Sequence, residues 1–304
     1  MKGLKNKDKE LIDYLFNYCR YTTKQLAKAL HLPQQTISYK IRRLEEQNYI
    51  KRYDAVLNWN NIDLIKKIYF LKKTEEELLT KLKKEKSVHS IVESIGTHEL
   101  SVWCFFKDEK QKQAFEEEYE FSKSINVKKV ISSEPSLFGT KIKLKKPLMK
   151  EKKIKLDNND VKLIKHLSTG HARDSILKIS KDLNISYDII HYRLKNLIKN
   201  KYFSRLIPQS GEGLGAAKTT LLLVELKEVK EENINKIKNL DFLTMGGYND
   251  KEIYLHILSS EQDDYLEKLE KIYHAVRKEL LSSEAMHWKQ VYKLNEYPLE
   301  YLTK

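Results

Sequence analysis

Apolar residues recur along the first fifty positions at helical spacing. Leu11, Ile12, Leu15 and Phe16 form one stripe, and Leu26, Ala27 and Leu30 form a second, with Thr22 and Thr23 placed to cap its start. After the turn His31-Leu32-Pro33, a third helix over 34–47 turns Ile37, Ile41 and Leu44 inward. Tyr39, Lys40, Arg42 and Arg43 fall on its open faces. Asn48–Leu57 then reads as a turn and a strand, so the spacing predicts a winged helix-turn-helix. Beyond it the pattern changes to period two. Strands are predicted over Ile65–Leu71, Val88–Ile95, Leu100–Phe106 and Val127–Phe138, with helices over Glu75–Lys84 and Glu109–Lys123. That βαββαβ order predicts a ferredoxin-like antiparallel sheet with both helices on one face.

Both patterns then occur again. Leu4, Asp8, Leu11, Ile12 and Leu15 match Leu156, Asp160, Leu163, Ile164 and Leu167 at an offset of 152. After a one-residue insertion, an offset of 153 aligns Leu26, Leu30, Tyr39, Ile41, Leu44, Tyr49 and Arg52 with Ile179, Leu183, Tyr192, Leu194, Leu197, Tyr202 and Arg205. The second set of strands and helices is Thr219–Leu226, Glu231–Asn239, Phe242–Met245, Glu252–Leu258, Glu261–Leu281 and Met286–Leu294. The chain is therefore read as two tandem copies in the α+β class. The expected domains are winged helix-turn-helix modules at 1–58 and 156–208 and ferredoxin-like domains at 62–142 and 216–304. The segment 143–155, with seven lysines and one proline, reads as a solvated linker.

Charge sharpens the picture. Lys and Arg total 57 against 43 acidic residues, a formal balance of +14, which points to an anionic partner, nucleic acid before membrane. Only eight of the basic residues are Arg, so composition alone does not decide. No apolar run approaches the ~20 residues of a bilayer span. The opening MKGLKNKDKE lacks a secretory core, and the two cysteines, Cys19 and Cys104, show no CxxC spacing. A reducing cytoplasm is expected, with Cys104 a small buried hydrophobe. No phosphate-loop, dinucleotide or nucleophile-elbow motif occurs, and Gly211–Gly215 reads as linker. The nine histidines show no metal-ligand spacing, so neither metal nor cofactor is expected.

On the third helix, Gln34, Gln35, Ser38, Tyr39 and Arg42 are the candidates for base edges or phosphates, since Gln pairs with adenine and Arg with guanine. Lys40, Arg43, Lys51 and Arg52 are assigned to phosphate. The second copy offers Tyr187, His191, Tyr192, Arg193, Lys195, Lys199 and Arg205, with Asp188 opposing phosphate.

A winged helix-turn-helix followed by a βαββαβ domain resembles the Lrp/AsnC (feast/famine) transcription regulators. The opening appears as Leu156-Asp157…Asp160…Leu163-Ile164, and the recognition-helix pattern as TISYKIRRLEEQNYI at 36–50 and IIHYRLKNLIKNKYF at 189–203. The family's glycine near the end of that pattern is Asn48 in one copy and Lys201 in the other. Lys suits a left-handed turn poorly, which predicts a distorted second wing. The resemblance implies RAM-type ferredoxin-like domains that pair face to face, so Ile68, Phe70, Trp103, Phe105, Leu221, Leu223, Tyr254 and His256 are expected to contribute to an intersheet core. It also implies an intrachain pseudo-dimer with two heads about one turn of duplex DNA apart, open to further oligomerisation. A glycine turn that docks small effectors corresponds to Gly96, His98 and Glu99, and to Gly247, Tyr248 and Asp250, so an amino-acid effector is a possible partner.

The favoured reading is a DNA-binding regulator and not an enzyme. Two alternatives stand beside it. Siroheme decarboxylases resemble the same architecture and use two related subunits; His98, Tyr248, His256 and His287 would then serve tetrapyrrole chemistry, although no arginine cluster awaits the substrate's carboxylates. The other is an amino-acid sensor without DNA binding.

Overall fold

The computed structural model describes residues 4–61, 63–73, 75–131, 156–210, 218–259, 262–293 and 301. The expected linker at 143–155, the end of the strand expected to reach Phe138 and the glycine-rich 211–215 lie outside the described residues. In chain order the first elements are α1 (Asn6–Tyr18), α2 (Thr23–Leu30), α3 (Gln34–Glu46), β1 (Ile50–Leu57), β2 (Ile65–Leu71), α4 (Glu76–Lys84), β3 (Val88–Gly96), β4 (Leu100–Phe106), α5 (Glu109–Glu118), β5 (Lys123–Asn126) and β6 (Lys129–Ile131). There follow α6 (Asn158–Ser168), α7 (Ile176–Leu183), α8 (Tyr187–Lys199), β7 (Phe203–Ser210), β8 (Lys218–Leu226), α9 (Glu231–Lys238), β9 (Leu243–Tyr248), β10 (Glu252–Ser259), α10 (Gln262–Val276) and β11 (Leu280–Lys293). The six helices α1–α3 and α6–α8 with β1 and β7 make one compact unit, and the remaining elements make a second.

In the helical unit, local chemistry sets the ends of the elements. Thr22 opens α2 with a capping box: its hydroxyl accepts from the Gln25 amide at 3.2 Å, and the Gln25 side chain accepts from the Thr22 amide at 2.8 Å. Ser175 caps α7 by one bond, its hydroxyl accepting from the Lys178 amide at 3.2 Å. The last turns of α3 and α8 close alike, Tyr49 N–H on the Leu44 carbonyl at 2.8 Å and Tyr202 N–H on Leu197 at 2.9 Å. This closure needs one residue in the left-handed region, and Asn48 and Lys201 both supply it with φ of 53°. Lys201 takes the same turn as Asn48, held by its own N–H on the Ile198 carbonyl at 3.0 Å and by Tyr202 N–H on Leu197, and the irregularity in the second wing lies beyond it, between Phe203 and Arg205. Leu11, Leu15, Leu26, Ile37 and Leu44 are buried in the first module, and Leu163, Leu167, Ile179, Ile190 and Leu197 in the second.

The strand after α3 finds its partner far along the chain. β1 pairs antiparallel with β7, Asp54 opposite Ile207 and Ala55 opposite Leu206. Accordingly α1 packs on β7, and α6 on β1. Two arginines tie the modules reciprocally: Arg20 donates to the Ala172 carbonyl at 2.7 Å, and Arg173 donates to the Cys19 carbonyl.

The second unit is a curled antiparallel sheet in the order β5-β2-β4-β3-β11-β8-β10-β9-β6. Two helices end earlier than expected, so that Lys123, Leu280 and Leu281 belong to strands instead. α5 stops at Glu118, and Lys123–Asn126 pairs with β2; α10 stops at Val276, and LLSSEA at 280–285 opens the long β11 between β8 and β3. At these positions ladder hydrogen bonds to neighbouring strands override local propensity. β5 and β6 are consecutive in sequence yet lie at opposite ends of this order, so the sheet returns toward itself.

Side chains alternate as period two requires. Tyr69, Leu71, Val102, Cys104 and Phe106 form one helix-side core with Leu79, Leu82 and Phe115. Leu222, Val224, Ile253, Leu255 and Ile257 form another with Ile234, Ile237, Ile272 and Val276. The alternate set, from Ile68 and Phe70 to Tyr254 and His256, is buried as well. Trp103 on β4 meets His256 on β10 with ring centroids 5.6 Å apart, although those strands are not neighbours in the sheet. The second face is covered by curling one sheet, where two mated sheets were expected. No helix of the described residues is long and apolar enough to cross a membrane.

Candidate nucleic-acid interface

The open face of α3 carries Gln34, Gln35, Ser38, Tyr39 and Arg42, all exposed, Tyr39 by 64%. Gln34 donates to the Thr23 hydroxyl at 3.0 Å, and Ser38 to the Gln34 carbonyl at 3.1 Å. Arg42 pairs with Glu46 at 2.7 Å, but both side chains are solvated, so the pair is worth little and is easily exchanged. Lys51 and Arg52 stand exposed on β1, Arg52 with a 3.0 Å contact to buried Asp54.

Lys40 and Arg43 are held differently. Both bond to Asp8, at 2.7 Å and 2.6 Å, and the Asp8 side chain has no solvent exposure. Burial alone would raise the Asp8 pKa. Hydrogen bonds from Lys40 and the Lys5 amide, with the charges of Lys40 and Arg43, outweigh it and hold the carboxyl below the usual range. Two bases assigned from sequence to phosphate are thus committed to clamping α3 onto the first turn of α1. The matched acids Asp8 and Asp160 were legible in the repeat; their role was not.

On α8, Tyr187, His191, Tyr192, Lys195 and Lys199 are exposed, as is Asp188. The Tyr187 and His191 rings lie 6.0 Å apart between centroids with their planes tilted by 53°. Arg193 makes the second module's clamp, to Asp157 at 2.7 Å and Asp160 at 2.9 Å. The Arg205 side chain lies outside the described residues. An open cleft of about 600 Å³ between α3, β1 and the loop after α6 gathers Ser38, Arg42, Lys51 and Arg52 with Arg173 and Gly170, which sequence reasoning had not singled out; Glu45 and Asp174 also line it.

The two glycine turns have packing roles. Gly96 adopts φ of +151°, and a Cβ there would lie 2.5 Å from the Ala285 carbonyl oxygen. A Cβ on Gly247 would lie 2.4 Å from the Tyr254 ring. His98 is buried, 3.5 Å from Glu284; burial lowers its pKa first, Lys123 and Lys72 add to this, and Glu284 opposes it. Glu99 is exposed, Tyr248 packs on the helix-side core, and exposed Asp250 pairs with Lys128. Of the four residues considered for tetrapyrrole chemistry, His98 (beside Phe70) and His256 lie on the inner face of the sheet. His287 meets Tyr265 of the helix layer and hydrogen-bonds Thr220 at 2.8 Å, and Tyr248 shares that side.

A model of winged helix-turn-helix DNA-binding domains matches residues 4–51. No characterised protein matches the chain by sequence. Among solved structures, the chain is similar to the siroheme decarboxylase NirDL at a TM-score of 0.59 and 11% identity, over 97% of each chain. It is similar to NirDL in co-complex with an iron-uroporphyrin III analogue at a TM-score of 0.60 and 11% identity, over 98% of this chain and 96% of that one. E. coli AsnC shares 22% identity over 44% of this chain and 93% of its own, at a TM-score of 0.35. At 11% identity the likeness to NirDL is one of fold. The first half thus begins with a winged helix-turn-helix DNA-binding domain, and the whole has the architecture of a solved decarboxylase. The expectation that the chain is not an enzyme is overturned by that end-to-end likeness: this architecture does not set catalysis aside.

Proposed function

We propose that the chain is a duplex-DNA-binding transcription regulator of Lrp/AsnC type, built as a tandem duplication that folds into an intrachain pseudo-dimer of two helix-turn-helix heads and two RAM-like domains. The reading rests on the open face of α3: Gln34, Gln35, Ser38, Tyr39 and Arg42 are exposed there, while Lys40 and Arg43 brace the helix from behind. Arg42, Lys51 and Arg52 supply the sequence-independent charge, and Gln34 and Gln35 the base contacts. The reciprocal Arg20 and Arg173 bonds, and a β1–β7 register that sets Asp54 opposite its own repeat partner Ile207, support the pseudo-dimer. Lys40, Arg43 and Arg193 take a positioning role in this proposal, and the glycine turns remain candidate effector contacts. Duplex selection from a random pool, followed by anisotropy titration across salt, is the test. Recovery of a bipartite site bound with a steep salt dependence is the expected result; retention of no duplex at low salt would end the reading.

A second reading is favoured by one observation, the end-to-end likeness to a siroheme decarboxylase. In it the inner face of the sheet takes a tetrapyrrole near His256, where the Trp103 and Trp288 indole N–H groups and the Tyr254 hydroxyl are buried without hydrogen-bond partners. The two readings are compatible in one chain. Titration with an iron-uroporphyrin, followed by its absorption band, tests the second; an unshifted band would remove it.

A further inference from the structure

The fold assembles four ligand-type side chains that no sequence spacing announced. His166 near the end of α6, His171 and Asp174 in the following loop, and Asp182 on α7 bring their donor atoms within 4.8 Å of one another. The two imidazoles stack with centroids 4.2 Å apart and planes 13° from parallel. His171 Nδ1 lies 2.8 Å from Asp174, and His166 Nε2 lies 3.6 Å from Asp182. His166 is the buried member, its side chain 11% exposed, and its Nε2 is shielded from water with no hydrogen-bond partner. A buried ring nitrogen that faces a carboxylate yet is bonded to nothing is costly unless something sits between them.

The first helical module shows that this place does not require such groups. At the offsets of the repeat, the four positions are Tyr14, Tyr18, Tyr21 and Ala29, and Tyr18 stacks on Tyr21 with centroids 4.7 Å apart. Aromatic packing fills in one module what two imidazoles and two carboxylates occupy in the other.

We propose that His166, His171, Asp174 and Asp182 bind one divalent transition-metal ion of the zinc class. Two neutral imidazoles and two carboxylates cancel the ion's charge and match the tetrahedral N/O donor sets that zinc accepts. Bonds of about 2.0–2.2 Å bring the donors nearer one another than they now lie, and the half-exposed His171 and Asp182 have room to move inward. Lys178 opposes the ion, since its ammonium lies 2.8 Å from Asp174, but that side chain is 54% exposed and can swing to solvent. The loop that carries His171 and Asp174 also carries Arg173, whose bond to the Cys19 carbonyl joins the two modules. The ion would therefore fix the junction between them.

The test is zinc titration of the untagged, chelator-stripped full chain by competition calorimetry, with magnesium as the hard-cation control. One zinc per chain is expected at this site, with magnesium silent. Asp182→Asn and His166→Gln should each weaken that zinc by at least about a hundredfold, because even changes outside the ligand shell cost ~10–100-fold. Lys178→Ala should tighten it. Absence of zinc binding by the parent chain, or affinity unchanged in Asp182→Asn, overturns the proposal. Asp182 lies partly in solvent, so this variant decides the matter even if His166→Gln fails to fold.

Discussion

In the first helical module one carboxylate, Asp8, is shared by Lys40 and Arg43; in the second, one guanidinium, Arg193, is shared by Asp157 and Asp160. Both clamps fasten the third helix to the first, at matching places in the repeat. Their surplus charge is opposite, one positive in the first module and one negative in the second. The Asp8 carboxylate is fully buried, whereas the Asp157 side chain is 56% exposed. A packing device can thus be retained while its effect on an approaching polyanion is reversed, and the first head presents the more attractive surface to phosphate.

The largest expected effect breaks the clamps unequally. Asp8→Asn leaves two cations around a neutral amide and should cost about 3 kcal/mol of stability. Asp160→Asn should cost about 1 kcal/mol, because Asp157 still pairs with Arg193. Urea denaturation of both variants checks this, and equal losses would erase the distinction. Acid probes the same contrast. Asp8 is held below its ordinary pKa of 3.8, so its contribution is whole above that value and is lost as pH falls through the lower, folded one. Protection of the α1 amides against hydrogen exchange, taken relative to the intrinsic rate at each pH, should therefore fall as pH drops below about 4.

Next in size is the contrast between the heads. Arg42 and Lys195 occupy matching positions on α3 and α8. Arg42→Ala should weaken duplex binding about tenfold, ~1.4 kcal/mol, and Lys195→Ala only about threefold. Anisotropy at fixed salt measures both, and a larger loss at Lys195 would invert the ranking. The smallest effect is a gain. Lys201 holds φ of 53° without glycine's freedom, so Lys201→Gly should stabilise by about 1 kcal/mol. Asn48→Gly should gain only a few tenths, since Asn tolerates that region. Thermal melts of the two variants compare them.

Sequence carried the local pattern. The stripes Leu11–Leu15 and Ile37–Leu44, the Thr22 cap and the period-two run of β4 were legible because each depends on neighbours within a few residues. The basic face of α3 was legible as a face, but the division of its charges was not. Whether Lys40 reaches a phosphate or Asp8 depends on a residue 32 positions away. The helix expected to run to Leu281 ended early for a related reason: β8 and β3 offered edges with which the start of β11 pairs.

By itself the sequence determined most of the helices and strands, the order in which they recur, and that the chain is basic, since these follow from spacing and composition. Only the tertiary structure decided that β1 pairs with β7, that one sheet curls to bury Trp103 against His256, and that His166, His171, Asp174 and Asp182 converge. Those outcomes join residues far apart in the chain. Backbone hydrogen bonds and apolar faces must be satisfied globally, and no local window contains the partner that satisfies them.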